Sequence, residues 1–443
     1  MKICEIMTKP IRLIETFAGY GSQAMALKRL GISFEHYRVV EFDKYAIKSY
    51  NAVHGTNFEP TDIRNVKGVD LGITNTDKFT YILTYSFPCT DLSTAGRQAG
   101  MSKGSGTRSG LLWEVERLLR ECKELPQILF MENVPQVHSK KNMDDFEQWL
   151  NFLESLGYKN YYQDLNAKDY GVAQSRKRCF MFSFLGDYEY CFPEPFKLNK
   201  TIKDYLEENV AEKYYIKTEK ADKLIQSLID RSILSNIDEP KICSNGTLVI
   251  EGINQLGNIM NENGFTNPQC GRVYDINGCS PTLNNCGGGN HEPKIVVEDK
   301  IIVAMRGRNP DNPSDRTTGS PTEQRLEPNS QGICNTLTTV GKDNLVLENI
   351  VIGGLQKHQS IKNDGVCTTL TSAMGAEGRN IPIVLKQYRI RKLTPREYGR
   401  LMGVSDIDID KMMTVNSNSQ LYKQFGNSIV VDMMYYCFKN LFI

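Results

Sequence analysis

Between residues 11 and 185, short apolar runs alternate with stretches whose apolar residues recur every three or four positions, as in a sheet of parallel strands joined by crossover helices. The runs predict strands over 12–17, 37–41, 81–85, 127–131 and 178–184. Leu111, Leu112, Val115, Leu118 and Leu119 lay one apolar stripe along a helix, and Phe146, Leu150 and Leu153 lay a second. After Phe184 the texture changes to Pro193 and Pro195, a charged helical stretch, and a long region rich in Gly, Asn, Thr and Pro that lasts to about Leu385. There a unit recurs three times. Gly278-Cys279-Ser280-Pro281-Thr282-Leu283 precedes the apolar Ile295-Val296-Val297, the segment 332–338 precedes Leu345-Val346-Leu347, and the segment 365–371 precedes Ile383-Val384. This reads as β-hairpins with cysteine as a small buried residue. Ordered helices close the chain: Thr394-Pro395-Arg396-Glu397 supplies an N-cap, a first-turn proline and a capping-box glutamate, and Gly403 suits the stop.

A chain of 443 residues with 40% hydrophobic content can bury one sizeable core and carry a second module. Lys plus Arg number 53 against 52 for Asp plus Glu, so a polyanionic partner must be held by a local basic surface. The twelve cysteines include no Cys-x-x-Cys pair, and there is no secretory signal or long apolar run, which gives the expectation of a reduced, cytoplasmic protein with no membrane segment. Cys270, Cys279, Cys286 and His291 lack the close paired spacing of a zinc site, so no metal is expected.

Three constellations carry candidate chemistry. Phe17-Ala18-Gly19-Tyr20-Gly21-Ser22 follows the first strand and opens a helix, where glycines let the backbone turn under a ligand. Glu41 lies about twenty residues on, at the end of the next strand, where a carboxylate accepts from ribose hydroxyls. Gly19, Gly21 and Ala24 also satisfy the dinucleotide pattern, so a nicotinamide-dependent oxidoreductase is a rival. Phe87-Pro88-Cys89-Thr90-Asp91-Leu92-Ser93 follows the third strand, and Glu132-Asn133-Val134 stands at the corresponding end of the fourth. A thiolate and a carboxylic acid would then face one crevice. In Gln174-Ser175-Arg176-Lys177-Arg178, extended backbone would point Gln174, Arg176 and Arg178 to one side; taken alone, the run reads as a solvated charged face.

In this order the motifs resemble the cytosine-C5 DNA methyltransferase family, over roughly 11–184 and 389–431. The resemblance rests on Phe17, Gly19 and Gly21, on Glu41, Asp62-Ile63, Pro88-Cys89, Glu132-Asn133-Val134, Gln174-x-Arg176-x-Arg178 and Gly426-Asn427-Ser428, with Arg391 to Glu397 and Arg400 to Gly403 as a further motif. Thr90 stands where glutamine is common, and Ser22 where glycine is frequent. The resemblance implies a Rossmann-like α/β sheet with helices on both faces and a smaller, mostly β target-recognition domain. It divides the chain into a catalytic domain 1–183, a target-recognition region 184–387, and a segment 388–443 that completes the catalytic domain.

The same resemblance implies a double-stranded DNA substrate and S-adenosyl-L-methionine as cofactor. Cys89 would attack carbon 6 of a flipped-out cytosine, Glu132 would bond ring nitrogen 3 and the amine, and Arg178 with Arg176 would hold the base oxygen and flanking phosphate. Phe17, Gly19, Gly21, Glu41, Phe42, Asp62, Ile63, Pro88 and Asn427 would line the cofactor pocket, with Phe42 on the adenine and Asp62 accepting from its amino group. Arg306-Gly307-Arg308-Asn309 and Asp315-Arg316 are the base-readout candidates. A single compact catalytic unit gives the expectation of a monomer, and family habit implies a role in restriction-modification, where a cognate restriction endonuclease would be the partner, or in phage anti-restriction. A transfer RNA cytosine-5 methyltransferase is the nearer rival, but that branch carries a Cys-Phe-Thr motif that does not occur here.

Overall fold

The computed structural model describes residues 8–92, 99–230, 252–260, 268, 270–285, 291–299, 301–308, 323–328, 345–347, 350–353, 360–362, 383–385 and 387–442. The chain gathers into two compact units. The first comprises Met1–Tyr214, Leu228–Ile295 and Lys392–Ile443, and the second comprises Tyr215–Ser227 and Val296–Arg391.

The first unit is built on six strands: β1 (Ile11–Thr16), β2 (Phe34–Val40), β3 (Thr80–Tyr85), β4 (Ile128–Asn133), β5 (Tyr158–Asn166) and β6 (Lys177–Leu185). Their order is β2-β1-β3-β4-β6-β5. Every residue of β3 and β4 is buried, as suits central strands covered on both faces, whereas the edge strands β2 and β5 alternate with exposed positions. The first four strands are parallel. The sheet departs from the all-parallel expectation at β6, which runs antiparallel to both β4 and β5. The link 167–176 between β5 and β6 is too short for the crossover that a parallel return needs.

Helices cover both faces. The helices are α1 (Ser22–Arg29), α2 (Lys44–His54), α3 (Leu112–Glu121) and α4 (Met143–Ser155). Leu83, Tyr85, Leu129, Met131 and Met181 share a core with Val115, Leu118 and Leu119 of α3 and with Phe146, Trp149 and Leu153 of α4, so both predicted apolar stripes face the sheet. Next come α5 (Glu219–Asp230), most of it in the second unit, and the C-terminal α6 (Pro395–Leu401), α7 (Asp406–Val415), α8 (Asn418–Asn427) and α9 (Val431–Phe442). On the sheet's other face Phe130 lies between Phe182 and Phe438 of α9, with ring centroids 4.7 and 5.7 Å away. The capping box forms as read: Thr394 accepts from the Glu397 N–H and Glu397 from the Thr394 N–H, behind Pro395. Asn416 donates to the Tyr45 carbonyl and to Ser49, both at 2.9 Å, fastening the end of α7 to α2.

Two short strands, β7 (Gln255–Asn258) and β8 (Arg272–Tyr274), pair antiparallel, and β9 (Lys294–Asp299) joins β8 in parallel. In the second unit β10 (Ile301–Arg308) pairs antiparallel with β11 (Glu323–Pro328) and β12 (Leu345–Leu347), and β13 (Ile350–Gly353) with β14 (Ser360–Lys362) and β15 (Ile383–Leu385). The apolar runs of the recurring unit are thus strands β9, β12 and β15, while 332–338 and 365–371 lie outside the described residues. No helix among the described residues is long and apolar enough to cross a membrane.

Candidate active site

Parallel β1, β3 and β4 end along one edge of the sheet, where doubly wound folds place their ligands. Antiparallel β6 starts at that same edge, its Cys179 paired with Asn133 at the end of β4. The register sets Glu132 opposite Phe180, so Arg178, two residues earlier, projects from the same face as Glu132. Their side chains meet, with Arg178 Nε 3.3 Å from Glu132 Oε1.

Cys89 lies half-buried on the loop after β3. Side chains from two other segments hold that loop. Asn133 Nδ2 donates to the Phe87 carbonyl at 2.9 Å, and Ser109 Oγ donates to the Pro88 carbonyl at 2.7 Å. The Ser109 N–H reaches Asp91 Oδ2 at 3.2 Å. Burial pushes the Cys89 thiol up, opposed by Arg178 and Arg176, while Glu132 pushes it further up. Burial also raises the Glu132 carboxyl against the pull of the same two arginines. Cys89, Glu132, Arg176 and Arg178 therefore form one electrostatic cluster.

Gln174 and Arg176 are buried, contrary to a solvated charged face; the Gln174 amide and both Arg176 Nη atoms find backbone partners, while Arg176 Nε has none among the described residues. Gln174 Nε2 donates to the Leu401 carbonyl at 2.7 Å, and its Oε1 accepts from Leu283 N. Arg176 Nη1 donates to the Leu283 carbonyl at 2.9 Å, and Nη2 to the carbonyls of Gly426 at 3.0 Å and Ser428 at 2.7 Å. Desolvation, with Arg178 adding to it, pushes the Arg176 guanidinium down to about 9. Lys177, between them, is the exposed member of the run.

Phe17, Gly19 and Gly21 all have positive φ, at 55°, 57° and 82°. At Gly21 a side chain would collide with His54 and Tyr50, whereas at Gly19 it would meet none of the described residues within 4 Å. The loop is thus packed beneath Gly21 and open above Gly19. Glu41, just beyond β2, accepts from the Gly19 N–H at 2.9 Å and the Asp43 N–H at 2.7 Å. The Phe42 ring is 73% exposed. Asp62 caps the short turn Ile63–Asn65 and pairs with Arg64, and Ile63 is buried. Ser22 Oγ lies 2.8 Å from Ser428 Oγ and Tyr20 meets Phe425 edge-on at 5.7 Å, so the last segment packs on this loop and Asn427 is exposed beside it.

A family model described as C-5 cytosine-specific DNA methylase matches residues 11–442. The chain belongs to that family. The match continues through the stretch after residue 184, where the motifs legible in the sequence stop.

Among its curated relatives are the type II methyltransferase M2.ScrFI of Lactococcus lactis subsp. cremoris, 28% identical over 98% of this chain and 99% of that one, and the orphan methyltransferase M.SPBetaI of Bacillus phage SPbeta, 26% identical over 97% of each. The orphan methyltransferase M.SssI of Spiroplasma monobiae is 46% identical over 37% of this chain and 42% of its own. In fold, the chain is similar to the Entamoeba histolytica methyltransferase EhMeth, with a TM-score of 0.54 at 14% identity over 98% of each chain.

Within this methyltransferase frame, the structure brings Arg178 against Glu132 and sets both arginines within electrostatic reach of Cys89 and Glu132. Phe17, Gly19, Gly21, Glu41 and Phe42 gather at the end of β1. Arg306 and Arg308 are on β10, while Asn309, Asp315 and Arg316 lie outside the described residues. Sequence reasoning misses Ser109 and the backbone at Leu283 and Gly426. Ser109 precedes α3 and looks like an ordinary helix-start serine, and a carbonyl acceptor leaves no trace in residue identity. At Gly426 any Cβ would strike the Asn284 backbone, so the glycine is there for a close chain approach.

Proposed function

We propose that this chain transfers a methyl group from S-adenosyl-L-methionine to carbon 5 of cytosine in double-stranded DNA, with Cys89 as nucleophile. The observation that carries the reading is the meeting of Cys89, Glu132 and Arg178 at one sheet edge, beside the loop that ends β1.

The residues present fit the cofactor. Open room over Gly19, the exposed Phe42 ring and the Glu41 carboxylate held by two backbone N–H groups offer a nucleoside a path, a stacking face and a ribose acceptor. By the family resemblance, Phe17, Gly21, Asp62, Ile63, Pro88 and Asn427 would complete that lining, Asp62 exchanging its contact with Arg64 for the adenine amine. When bound, S-adenosyl-L-methionine supplies an electrophilic methyl group.

The protein residues must make carbon 5 able to accept it. Burial raises the Cys89 thiol, so its proton passes to solvent as the sulfur bonds carbon 6. Glu132, raised by burial, is suited to donate a proton to ring nitrogen 3, and carbon 5 then has enamine character. Arg178 keeps Glu132 in place and faces the base oxygen. Arg176 differs from its neighbour: its Nη atoms are committed to three carbonyls, so we assign it to holding the C-terminal segment, and anion binding to Arg178. After methylation the carbon 5 proton passes to solvent, the sulfur–carbon 6 bond breaks, ring nitrogen 3 returns its proton to Glu132, and the Cys89 thiolate takes up a proton from solvent. Such chemistry needs the base outside the helix.

The division into a catalytic domain at 1–183 and 388–443 and a target-recognition region at 184–387 belongs to this proposal. So do a monomeric state, a cytoplasmic location and a role in restriction-modification or phage anti-restriction, which the mixture of type II and phage orphan relatives supports. The type II role would bring a cognate restriction endonuclease as partner.

The test offers radiolabelled S-adenosyl-L-methionine with duplex DNA and with transfer RNA to the wild type and to Cys89→Ser, with products mapped by bisulfite sequencing. Methylcytosine in one short DNA motif, absent with Cys89→Ser, is expected. Label in RNA alone would transfer the substrate to the RNA branch, and unchanged transfer by Cys89→Ser would remove the covalent mechanism.

A further inference from the structure

We propose that His138, Asp164 and Cys179 form a zinc-binding site on the face of the sheet opposite the Glu132–Arg178 pair. The three residues come from separate elements: the turn Pro135–His138, β5 and the start of β6. Register places them. Cys179 pairs with Asn133 on one side and Asp164 on the other, so these three side chains share one face, and Glu132, Phe180 and Arg178 project from the other. His138 completes the cluster from the turn that follows β4, with Nε2 2.9 Å from Asp164 Oδ1.

One ligand atom from each residue lies within 4.8 Å of the others. Closing that triangle around an ion with bonds of about 2.0–2.3 Å needs movements of less than about 1 Å. A nitrogen, a carboxylate oxygen and a sulfur form a borderline donor set that suits zinc and does not suit calcium or magnesium, which prefer oxygen throughout. The His138 and Asp164 side chains are 26% and 19% exposed, which leaves an approach for the ion and a fourth position for water. Lys177 Nζ lies 3.2 Å from the other Asp164 oxygen, the kind of outer contact that orients a ligating carboxylate. Phe146 and Tyr162 wall the imidazole, with centroids 6.1 and 5.8 Å away.

The charges balance as well. Thiolate and carboxylate neutralise the ion, and with a neutral imidazole one proton passes to solvent, from the Cys179 sulfur, while the imidazole proton moves to Nδ1. A bound ion would tie β5, β6 and the turn after Glu132 together directly behind the proposed catalytic pair. None of the three ligands has a part in the proposed methyl transfer, so the site stands or falls separately from it.

The experiment titrates chelator-treated full-length protein with cobalt(II) as the spectroscopic probe, then with zinc. One equivalent of cobalt should produce a thiolate-to-metal charge-transfer band, released on adding zinc. The band should be lost in Cys179→Ser and in His138→Ala and kept in Cys89→Ser and Cys122→Ser. His138 is half-buried, so His138→Ala decides the matter if Cys179→Ser does not fold; circular dichroism establishes which variants are folded. No thiolate band in the wild type, or a band that persists in folded His138→Ala, would overturn the site.

Discussion

Arg176 Nη2 donates to the Ser428 carbonyl at 2.7 Å, across 252 residues of chain. The same nitrogen reaches the Gly426 carbonyl and Nη1 reaches the Leu283 carbonyl, so one guanidinium joins three distant segments in a buried place. Only arginine offers donors in such a fork; lysine, a point charge on a flexible stem, cannot span them. Arg176→Lys should therefore lower stability by at least about 2 kcal/mol, from carbonyls left without donors. Arg178→Lys, which keeps a cation beside Glu132 and strands no carbonyl of a distant segment, should lower stability less than Arg176→Lys and cut methyl transfer instead. Urea unfolding beside single-turnover rates measures both; equal stability losses would erase the distinction.

Phe42 gives a complementary case, because its ring is exposed and lies outside the buried core of the described residues. Stacking between a base and an aromatic ring contributes about 1–3 kcal/mol. Phe42→Ala should weaken S-adenosyl-L-methionine binding by about 10-fold or more, with the melting temperature unchanged. Calorimetric titration reads the affinity, and an unaltered dissociation constant would take Phe42 out of the pocket.

Gly426 carries the approach of the C-terminal segment to Asn284. A methyl group there must push two backbones apart, and overpacking of this kind costs about 1–3 kcal/mol. Because Asn427 follows directly and Ser428 bonds Ser22, Gly426→Ala should weaken cofactor binding as well as stability. Truncation after Leu385 should abolish cofactor binding altogether. Equilibrium dialysis with labelled cofactor tests both, and full affinity in the truncated chain would contradict the arrangement.

Buried Glu15 should mark the protein's stability with a pH signature. It lies in β1, accepts from the Tyr50 hydroxyl at 2.5 Å, and desolvation raises it from its ordinary value near 4.5 to about 7. A carboxyl raised in the folded state contributes stability that is complete below about 4.5 and is lost as pH rises through about 7. That interval corresponds to about 3 kcal/mol. Glu15→Gln keeps an acceptor for Tyr50 without ionising, so its unfolding free energy should match the wild type near pH 4 and exceed it near pH 8. Denaturant curves at the two pH values provide the check, and parallel pH profiles would remove Glu15 as the cause.

Much of the site is legible in the order of residues alone. Pro88-Cys89 and Glu132 announce themselves because each ends a strongly apolar strand, and strands of that kind deliver their next residues to one edge. The glycine loop is legible because positive φ at Gly19 and Gly21 is a property of single residues. The run Gln174 to Arg178 is not legible in the same way. Charge and alternation suggest a wet surface, and the buried state of Arg176 depends on acceptors from Leu283, Gly426 and Ser428 that are invisible locally.

By itself, the sequence determined the strand and helix periods, the capping of α6, the glycine turns and the ordered motifs that mark a cytosine-C5 DNA methyltransferase. These depend on stereochemistry within a few residues, where residue type and spacing are sufficient. Only the tertiary structure decided that β6 runs antiparallel and brings Arg178 to Glu132, that Ser109 and Asn133 hold the Cys89 loop, and that Arg176 binds the chain's end to its middle. Those outcomes turn on which distant backbone groups remain without partners once the core has packed, since a buried donor must find an acceptor wherever the fold supplies one.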